Sequence, residues 1–406
     1  ADGSTEPAEY SFTIAKKALT PSVASVDSKT YDGTDSATGM IALSGAVKED
    51  KPAAEGTFSW AGFSAGTFRA YVTDITLDED SAKNYTLTAS SLGVQNTPNG
   101  ATITKKAVAL PDAGKTYDGS ASYTLASFNT GIENIIVSYN AYAADAGIYS
   151  YADAPAAGRY TVVLGDSRDY SVDADSSGTF TIHPKEITVP NKTVTYNRKK
   201  AFEQEITGVG GGKITAVYEA TGKAAGSYAY SEAGEEGTYK VTFADGNYTA
   251  AAAGSGKLTI TPAEVTGFTW DYTEPFTYDG TAKTVNAAVS NLVPGDTMAE
   301  FSLTYASVTE EHKSNFGTDA GSYTAIVTGL GNDNYVLKES VAQSGALGWE
   351  IKTNKVDKPA ADATQFIYNG STQTYSVAEN PRYTVTGNTR KDAGSQTVTV
   401  ALADKA

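Results

Sequence analysis

Few residues in this 406-residue chain have the types and spacing that chemistry needs. There is no Cys, and His183 and His312 lie far apart, which excludes a thiol nucleophile, a disulfide framework and a Cys/His zinc site. Glu310 and Glu311 beside His312 would offer an acid and a base. Adjacent positions on a strand point apart, however, and no nucleophile accompanies them, so no enzymatic activity is expected. The carboxylate clusters Asp78-Glu79-Asp80 and Asp173-Ala174-Asp175, with Asn332-Asp333, are what a calcium site would start from. Calcium takes about six to eight oxygens, and no EF-hand loop or Gly-Gly-x-Gly-x-Asp array surrounds them, so solvated loop charge is the simpler reading. Calcium stays the one candidate cofactor. The pairs Lys16-Lys17 and Lys105-Lys106 have the side chains for Lys–Asn isopeptide crosslinks, but spacing alone does not bury them.

The elements that position these residues belong to a soluble, folded, acidic chain. Lys and Arg number 31 against 47 Asp and Glu, a net charge of −16. That balance repels phosphate backbones and argues against nucleic acid or anionic lipid as partners. With 40% hydrophobic residues the chain is too apolar for disorder. No stretch approaches the roughly 18 to 20 apolar residues of a membrane span, so direct membrane insertion is not expected. The start, ADGSTEPAEYSF, lacks a basic segment followed by an apolar one, so any export or anchoring signal would lie elsewhere in a longer parent or have been cleaved off.

Self-comparison gives the strongest signal. A Tyr followed by a turn recurs in KTYDGT, KTYDGS, VTYNRK, FTYDGT and FIYNGS, at Tyr31, Tyr117, Tyr196, Tyr278 and Tyr368, steps of 86, 79, 82 and 90 residues. A Gly two residues before an aromatic recurs in AGTFRAYV, AGRYTVVL, EGTYKVTF and AGSYTAIV, with Phe68, Tyr160, Tyr239 and Tyr323, and again in AGSQTVTV with Gln396 in the aromatic place. A short Tyr strand recurs at KNYTL, RDYSV, GNYTA and DNYVL, centred on Tyr85, Tyr170, Tyr248 and Tyr335. FTIAKK, ATITKK, FTIHPK, LTITPA and WEIKTN close the units. Self-similarity at such a period marks a tandem array.

Each motif alternates apolar and polar residues, as Tyr239 to Phe243 does, which predicts half-buried strands. Asp-Gly or Asn-Gly after a β-rich stretch predicts a tight turn, with Gly taking positive φ; in repeat three Arg198 stands at that place, so Asn197 is expected to be left-handed or the turn to differ. EGTFSW, AGIYSY and AGSYAY, 10 or 11 residues before the second motif, suit a β-hairpin with it. No helix pattern appears. The junctions have no Gly/Ser spacer. The boundaries read as 1–17, a closing strand of a partial repeat; 18–106, 107–185, 186–262 and 263–355, four complete repeats; and 356–406, a partial fifth.

In these four ordered motifs nearly the whole chain resembles the YDG/MBG-type repeats of large bacterial surface proteins. The resemblance implies an extracellular protein at the bacterial cell surface, adhesin-like or stalk-like, with no catalytic residues. Asp319-Ala320-Gly321-Ser322-Tyr323 is similar to the entry of strand F in immunoglobulin-like domains. The expected fold class is all-β: an elongated tandem array of small β-sandwich, immunoglobulin-like repeats, with an open β-sheet or β-grasp-like unit as the alternative.

The motif tyrosines are expected to be core or corner residues. Aromatics outside the four motifs, Trp60, Phe63, Tyr142, Tyr149, Tyr151, Tyr228, Tyr230 and Trp270, are the candidates for a ligand face, because exposed rings stack on sugars and anchor protein partners. Three functions are open: a stiff stalk whose partners are neighbouring repeats, an adhesin module that binds host glycan or protein, and a filament subunit. In the last, the strand around Tyr10 to Lys17 of one molecule fills the open edge of repeat five in the next, head to tail. Truncation of a longer array explains the same partial repeats without self-association.

Overall fold

The structure is a computed structural model that describes residues 7, 9–306 and 314–403. Glu310, Glu311 and His312 lie outside the described residues. The chain is almost entirely strand and loop, in tandem repeats, and divides into two compact units. One comprises residues 1–187 with 207–214 and 243–249; the other comprises 188–206, 215–242 and 250–406.

Repeat two shows the design. A junction strand, Lys106–Val108, pairs in parallel with the Asx-Tyr strand Tyr170–Val172, placing Lys106 opposite Tyr170. The rest forms one six-stranded mixed sheet in the order Ala113–Thr116, Thr179–His183, Gly147–Tyr151, Arg159–Leu164, Asn134–Ala141 and Ser122–Asn129. The opening strand Ala113–Thr116 runs parallel to the closing strand Thr179–His183, which runs antiparallel to the corner strand Gly147–Tyr151. Repeat three repeats this order. Two parallel pairs within one sheet distinguish it from the two antiparallel sheets of an immunoglobulin-like sandwich. The tyrosine corner is nonetheless present: the hydroxyls of Tyr149, Tyr228 and Tyr323 each donate to the backbone carbonyl four residues back, at Asp145, Ala224 and Asp319, over 2.6–2.7 Å.

The corner revises the motif alignment. Gly66, Gly147, Gly226 and Gly321 lie opposite the closing isoleucines Ile103, Ile182, Ile260 and Ile351. Tyr323 and Phe68 thus share a position with Tyr149 and Tyr228, whereas Tyr160 and Tyr239 occupy the neighbouring strand. In repeats two and three that neighbour is no hairpin partner, since Gly147–Tyr151 and Arg159–Leu164 run parallel, with Tyr151 opposite Tyr160, whereas in repeat one Ala54–Trp60 does pair antiparallel with Ala70–Leu77, as expected. Both strands carry Gly-x-Tyr because both send a ring into one core. Tyr160 and Tyr239 donate to Gly178 and Gly256 carbonyls at 2.7 and 2.6 Å.

Repeat one fills that core with the same bulk drawn from the opposite strand. Ala141 lies opposite Tyr160, while the matching pair in repeat one is Trp60 opposite Ala70, both buried. Close packing demands conserved volume more than conserved identity.

Two short helices, Glu79–Asn84 and Glu339–Ser344, correct the expectation of none. The first absorbs an acidic cluster. Asp78 is its N-cap, accepting from Ser81 N at 2.8 Å, and Glu79 and Asp80 lie in the first turn, where the helix dipole favours carboxylates. In the second cluster Asp173 accepts from Asp175 N at 3.2 Å. Six-residue helices with no apolar stripe leave no periodic trace.

Candidate functional site at the repeat junctions

The first motif builds a reproducible turn. Asp32, Asp118, Asn197, Asp279 and Asn369 each accept, through a side-chain oxygen, the backbone N–H two residues on, at 2.9–3.0 Å. Such an Asx-turn puts the intervening residue in the left-handed region, where Gly33, Gly119, Gly280 and Gly370 sit at φ of 76° to 83°. Lys29, Lys115 and Lys283 staple the turn by ion pairs to its Asp at 2.5–2.8 Å. Burial raises the Asp32 carboxyl's pKa, but the Lys29 and Thr34 hydrogen bonds outweigh it and bring it down to about 2. In repeat three Arg198 itself takes φ 64°, so neither alternative offered for Asn197 was needed.

Just before each turn the opening strand runs beside the closing strand, and the Tyr amide bonds its end: Tyr31 N to Thr104 O, Tyr117 N to His183 O and Tyr196 N to Thr261 O, all at 2.8 Å. Since the closing strand leads directly into the next repeat, this Tyr is delivered to the boundary. There it meets the Asx-Tyr motif of the following repeat. Tyr31 packs edge-on against Tyr170, Tyr117 against Tyr248 and Tyr196 against Tyr335, with ring centroids 5.4, 5.4 and 5.8 Å apart. Edge-to-face pairs contribute about 0.5–1.5 kcal/mol beyond the area they bury.

Around each ring pair the polar groups are satisfied in recurring ways. Glu133 Oε1 accepts from Tyr31 and Tyr170 hydroxyls at 3.3 and 3.2 Å. Asp296 accepts from Tyr196 at 3.2 Å, from Tyr335 at 2.6 Å and from the Arg198 guanidinium. Burial pushes the Asp296 carboxyl up, but these three donors carry it below the ordinary value. Burial together with the carboxylates pushes the Tyr31 and Tyr335 phenols up to about 12. At the second junction the Gly-rich loop 208–212 has no acidic residue, and Val209 N donates to the Tyr248 hydroxyl at 3.0 Å. In repeat one, Asp50 accepts from Tyr85 and Val47 N donates to it at 3.0 Å, a socket of the same kind.

A second tie crosses each boundary. The Asx before the Tyr accepts the backbone N–H of the Ala preceding the corner Gly: Asp169 from Ala65 at 2.6 Å, Asn247 from Ala146, and Asn334 from Ala225 at 2.7 Å. The basic junctions are used locally: Lys16 and Lys105 donate to Ala82 and Ser167 carbonyls at 2.6 and 2.5 Å, each three residues before the Asx-Tyr tyrosine.

Of the motif aromatics, Tyr31, Tyr85, Tyr160, Tyr170, Tyr196, Tyr239, Tyr248, Tyr323 and Tyr335 are buried, Phe68, Tyr117 and Tyr278 half-buried, and Tyr368 exposed. Among the ligand-face candidates, Trp60, Tyr149 and Tyr228 are buried in repeat cores and present no surface, because their strands direct them inward. Tyr151, Tyr230 and Trp270 are half-buried, with Tyr151 donating to Asp153 and Trp270 Nε1 to Gly345 O. Phe63 and Tyr142 are exposed, at 58% and 59%. Among the described residues no group of His, Asp or Glu could hold a metal ion, and no helix is long and apolar enough to cross a membrane.

Sequence reasoning found both tyrosines of the lock but not that they meet. A usable signal was present: Asp50, Glu133 and Asp296 precede Tyr85, Tyr170 and Tyr335 by 35, 37 and 39 residues, a spacing nearly as regular as the motifs.

The fold and junctions define a tandem β-repeat protein whose recurring tyrosines join one repeat to the next. Residues 15–92 match the YDG domain, consistent with YDG/MBG-type repeats. No curated protein matches the chain.

Proposed function

We propose that this chain is a non-catalytic spacer of a bacterial surface protein, one that holds another domain away from the cell and carries tension through its junctions. The observation that supports it is the tyrosine lock. Three successive boundaries join a turn Tyr to an Asx-Tyr of the next repeat, with a side-chain-to-backbone tie beside each. Ordering a boundary this way restricts rotation between neighbours, which an independent string of domains would not need. The partners are neighbouring repeats, and the location is extracellular.

Small-angle scattering tests this on the full chain. The spacer reading expects a particle on the order of 140 to 180 Å long, from strands rising about 3.3 Å per residue. A radius of gyration near the roughly 22 Å of a single globule of this length would refute it. A glycan array addresses the adhesin reading, in which Phe63 and Tyr142 would contact host glycan or protein: binding lost in Tyr142→Ala would replace the spacer reading with that one.

A further inference from the structure

Repeats two and three each end their six-stranded sheet on two edge strands, Ala113–Thr116 and Ser122–Asn129 in the one, Lys192–Thr195 and Ala201–Thr207 in the other. An edge presents unpaired N–H and C=O groups to any strand that approaches, and charge on it is a common guard. Ala113–Thr116 carries Lys115, Lys192–Thr195 carries Lys192, and Ala201–Thr207 carries Glu203 and Glu205. Ser122–Asn129, eight residues long, has no charge, no Pro and no Gly.

Counted from the turn tyrosines Tyr117 and Tyr196, Thr124, Leu125 and Ala126 stand where repeat three has Glu203, Gln204 and Glu205. In repeats one and four the chain covers the strand after the turn by itself: Gly39–Ser44 pairs antiparallel with Lys17–Val26, and Ala287–Val289 with Phe268–Trp270. In repeat two the junction strand ends at Val108 and Pro111 follows, which has no N–H to give a ladder. Among the described residues this edge is thus neither charged nor covered, and Leu125 and Phe128 stay half-buried at the rim of the core.

We propose that this edge pairs with itself: Ser122–Asn129 of a second copy of this chain adds antiparallel to it about a two-fold axis. The inference goes beyond the spacer reading and does not rest on it. The register follows from the ladder already present. Ala141 N donates to Ala121 O at 3.0 Å, and Tyr123 and Leu125 lie opposite Tyr139 and Val137. Residues 121, 123 and 125 therefore turn their backbone groups to their own sheet, and 122, 124 and 126 turn theirs outward. Ser122 is already used: its carbonyl accepts from Lys115 Nζ at 3.0 Å and its N–H donates to Ser120 Oγ at 3.1 Å. Thr124 and Ala126 are left, and two such residues flanking Leu125 complement themselves. Thr124 of each copy bonds Ala126 of the other, and the two Leu125 side chains meet on the axis. The register shift between Leu125 and Phe128 bends the strand beyond this point and confines the pairing to its first half. Charge selects the same partner. The net charge is −16, so a second copy approaches readily only where neither surface carries carboxylates, and the same pairing in repeat three would set Glu203 against Glu205. One strand pair buries far less than the roughly 1,200–2,000 Å² of a stable interface, so the dimer is weak in dilute solution and a covalent trap reads it best.

Leu125→Cys puts one thiol into a chain that has none. Residues facing each other in a non-hydrogen-bonded antiparallel pair have Cα atoms about 4.5 Å apart, within reach of a disulfide. Oxidised at high micromolar concentration, this variant is expected to form dimers at least about tenfold faster than Ser127→Cys, whose exposed thiol would lie roughly 13 Å along the strand from its twin. Thr124→Glu/Ala126→Glu copies the guard of repeat three onto two exposed positions. Those changes are expected to abolish the crosslink and leave the thermal transition where it is. Without any Cys, the wild type should dimerise in sedimentation near millimolar concentration and the Glu variant should not. Equal crosslinking of the two Cys variants, crosslinking that survives the Glu pair, or a wild type monomeric near millimolar concentration would each overturn the proposal. A wild type that stays monomeric yet binds an added uncharged extended peptide, in a manner the Glu pair abolishes, would also overturn it and assign the edge to a foreign strand.

Discussion

Asp296→Ala removes the acceptor shared by the third junction, and the cost can be worked from its donors. The side chain is fully buried and takes hydrogen bonds from Tyr196, Tyr335 and Arg198. Both hydroxyls lose their acceptor inside the lock, and a buried donor left unsatisfied costs about 1–3 kcal/mol. Arg198 is 36% exposed, so its guanidinium rehydrates and adds little, which keeps the total below the upper end for a broken buried ion pair. The sum is about 3 kcal/mol. Asp296→Asn keeps an oxygen acceptor and should cost about half as much. Calorimetry on the full chain converts this into a shift that depends on what melts together. At roughly 4–8 °C per kcal/mol a single repeat of about 80 residues would fall by about 12–24 °C, whereas two repeats melting as one would fall by about 6–12 °C. The lock requires the second outcome. Chemical denaturation of Asp296→Ala, Tyr196→Phe and the double variant then closes a cycle. A loss under about 0.5 kcal/mol, or no coupling between Asp296 and Tyr196, would refute the argument that the carboxylate ties the two repeats.

The core exchange predicts that Trp60→Ala costs repeat one about 3–5 kcal/mol, and that adding Ala70→Tyr recovers a measurable part in denaturant melts; no recovery would show that the two strands do not share one volume. Tyr323 stacks on Trp349 at 4.5 Å, so Tyr323→Ala should cost repeat four about 3–5 kcal/mol and Tyr323→Phe, which keeps the ring and loses the corner bond, about 1 kcal/mol; a Phe variant as damaged as the Ala one would count against ring packing. The phenols of Tyr31 and Tyr335 are raised to about 12, so their folded forms favour the proton. Their contribution is full below about pH 10, where unfolded tyrosine titrates, and is lost as pH rises through about 12. Tyrosinate absorbance should therefore appear together with loss of β-structure, and complete titration near pH 10 with the fold intact would contradict it. Arg198→Gly relieves a left-handed non-Gly residue but removes a donor from Asp296, so stability by denaturant melt should fall at neutral pH, the lost hydrogen bond to a charged group outweighing the roughly 1 kcal/mol of backbone strain; a more stable variant would mean that the bond carries no weight.

The all-β class, the tandem order and the turn chemistry were legible because each depends on residues close in sequence. Alternation over Tyr239 to Phe243 and the Asn/Asp-Gly turns are local signals, and the local physics decides them. Sheet order was not legible. Gly147–Tyr151 and Arg159–Leu164 carry near-identical Gly-x-Tyr patterns, and nothing in either says that one pairs with the closing strand and the other with Asn134–Ala141. The identity of Tyr323 with the corner class, and not with Tyr160, follows from pairing across some thirty residues. The helix Glu79–Asn84 escaped because its signal is a cap and not a period. Trp60 was misjudged as a ligand candidate because its equivalents are alanines, Ala141 and Ala220, whose small size is compensated on another strand.

The lock also explains why the motifs recur while the lengths between them do not. From Tyr31 to Tyr368 the steps vary between 79 and 90 residues, yet each boundary places its ring within half an ångström of the same centroid separation. Between the motifs, added loop length costs only slowly growing closure entropy. The turn tyrosine, by contrast, is fixed from three directions at once: by its Asx-turn, by the closing strand it borders and by the ring it meets. Polar satisfaction around the rings varies in the same way. Glu133 and Asp296 are different acids in corresponding loops of repeats two and four, and the 208–212 loop supplies a backbone N–H where no acidic residue is present. What recurs at the junctions is the pair of rings and a polar partner for the Asx-Tyr hydroxyl, and the chemistry of that partner is free to drift.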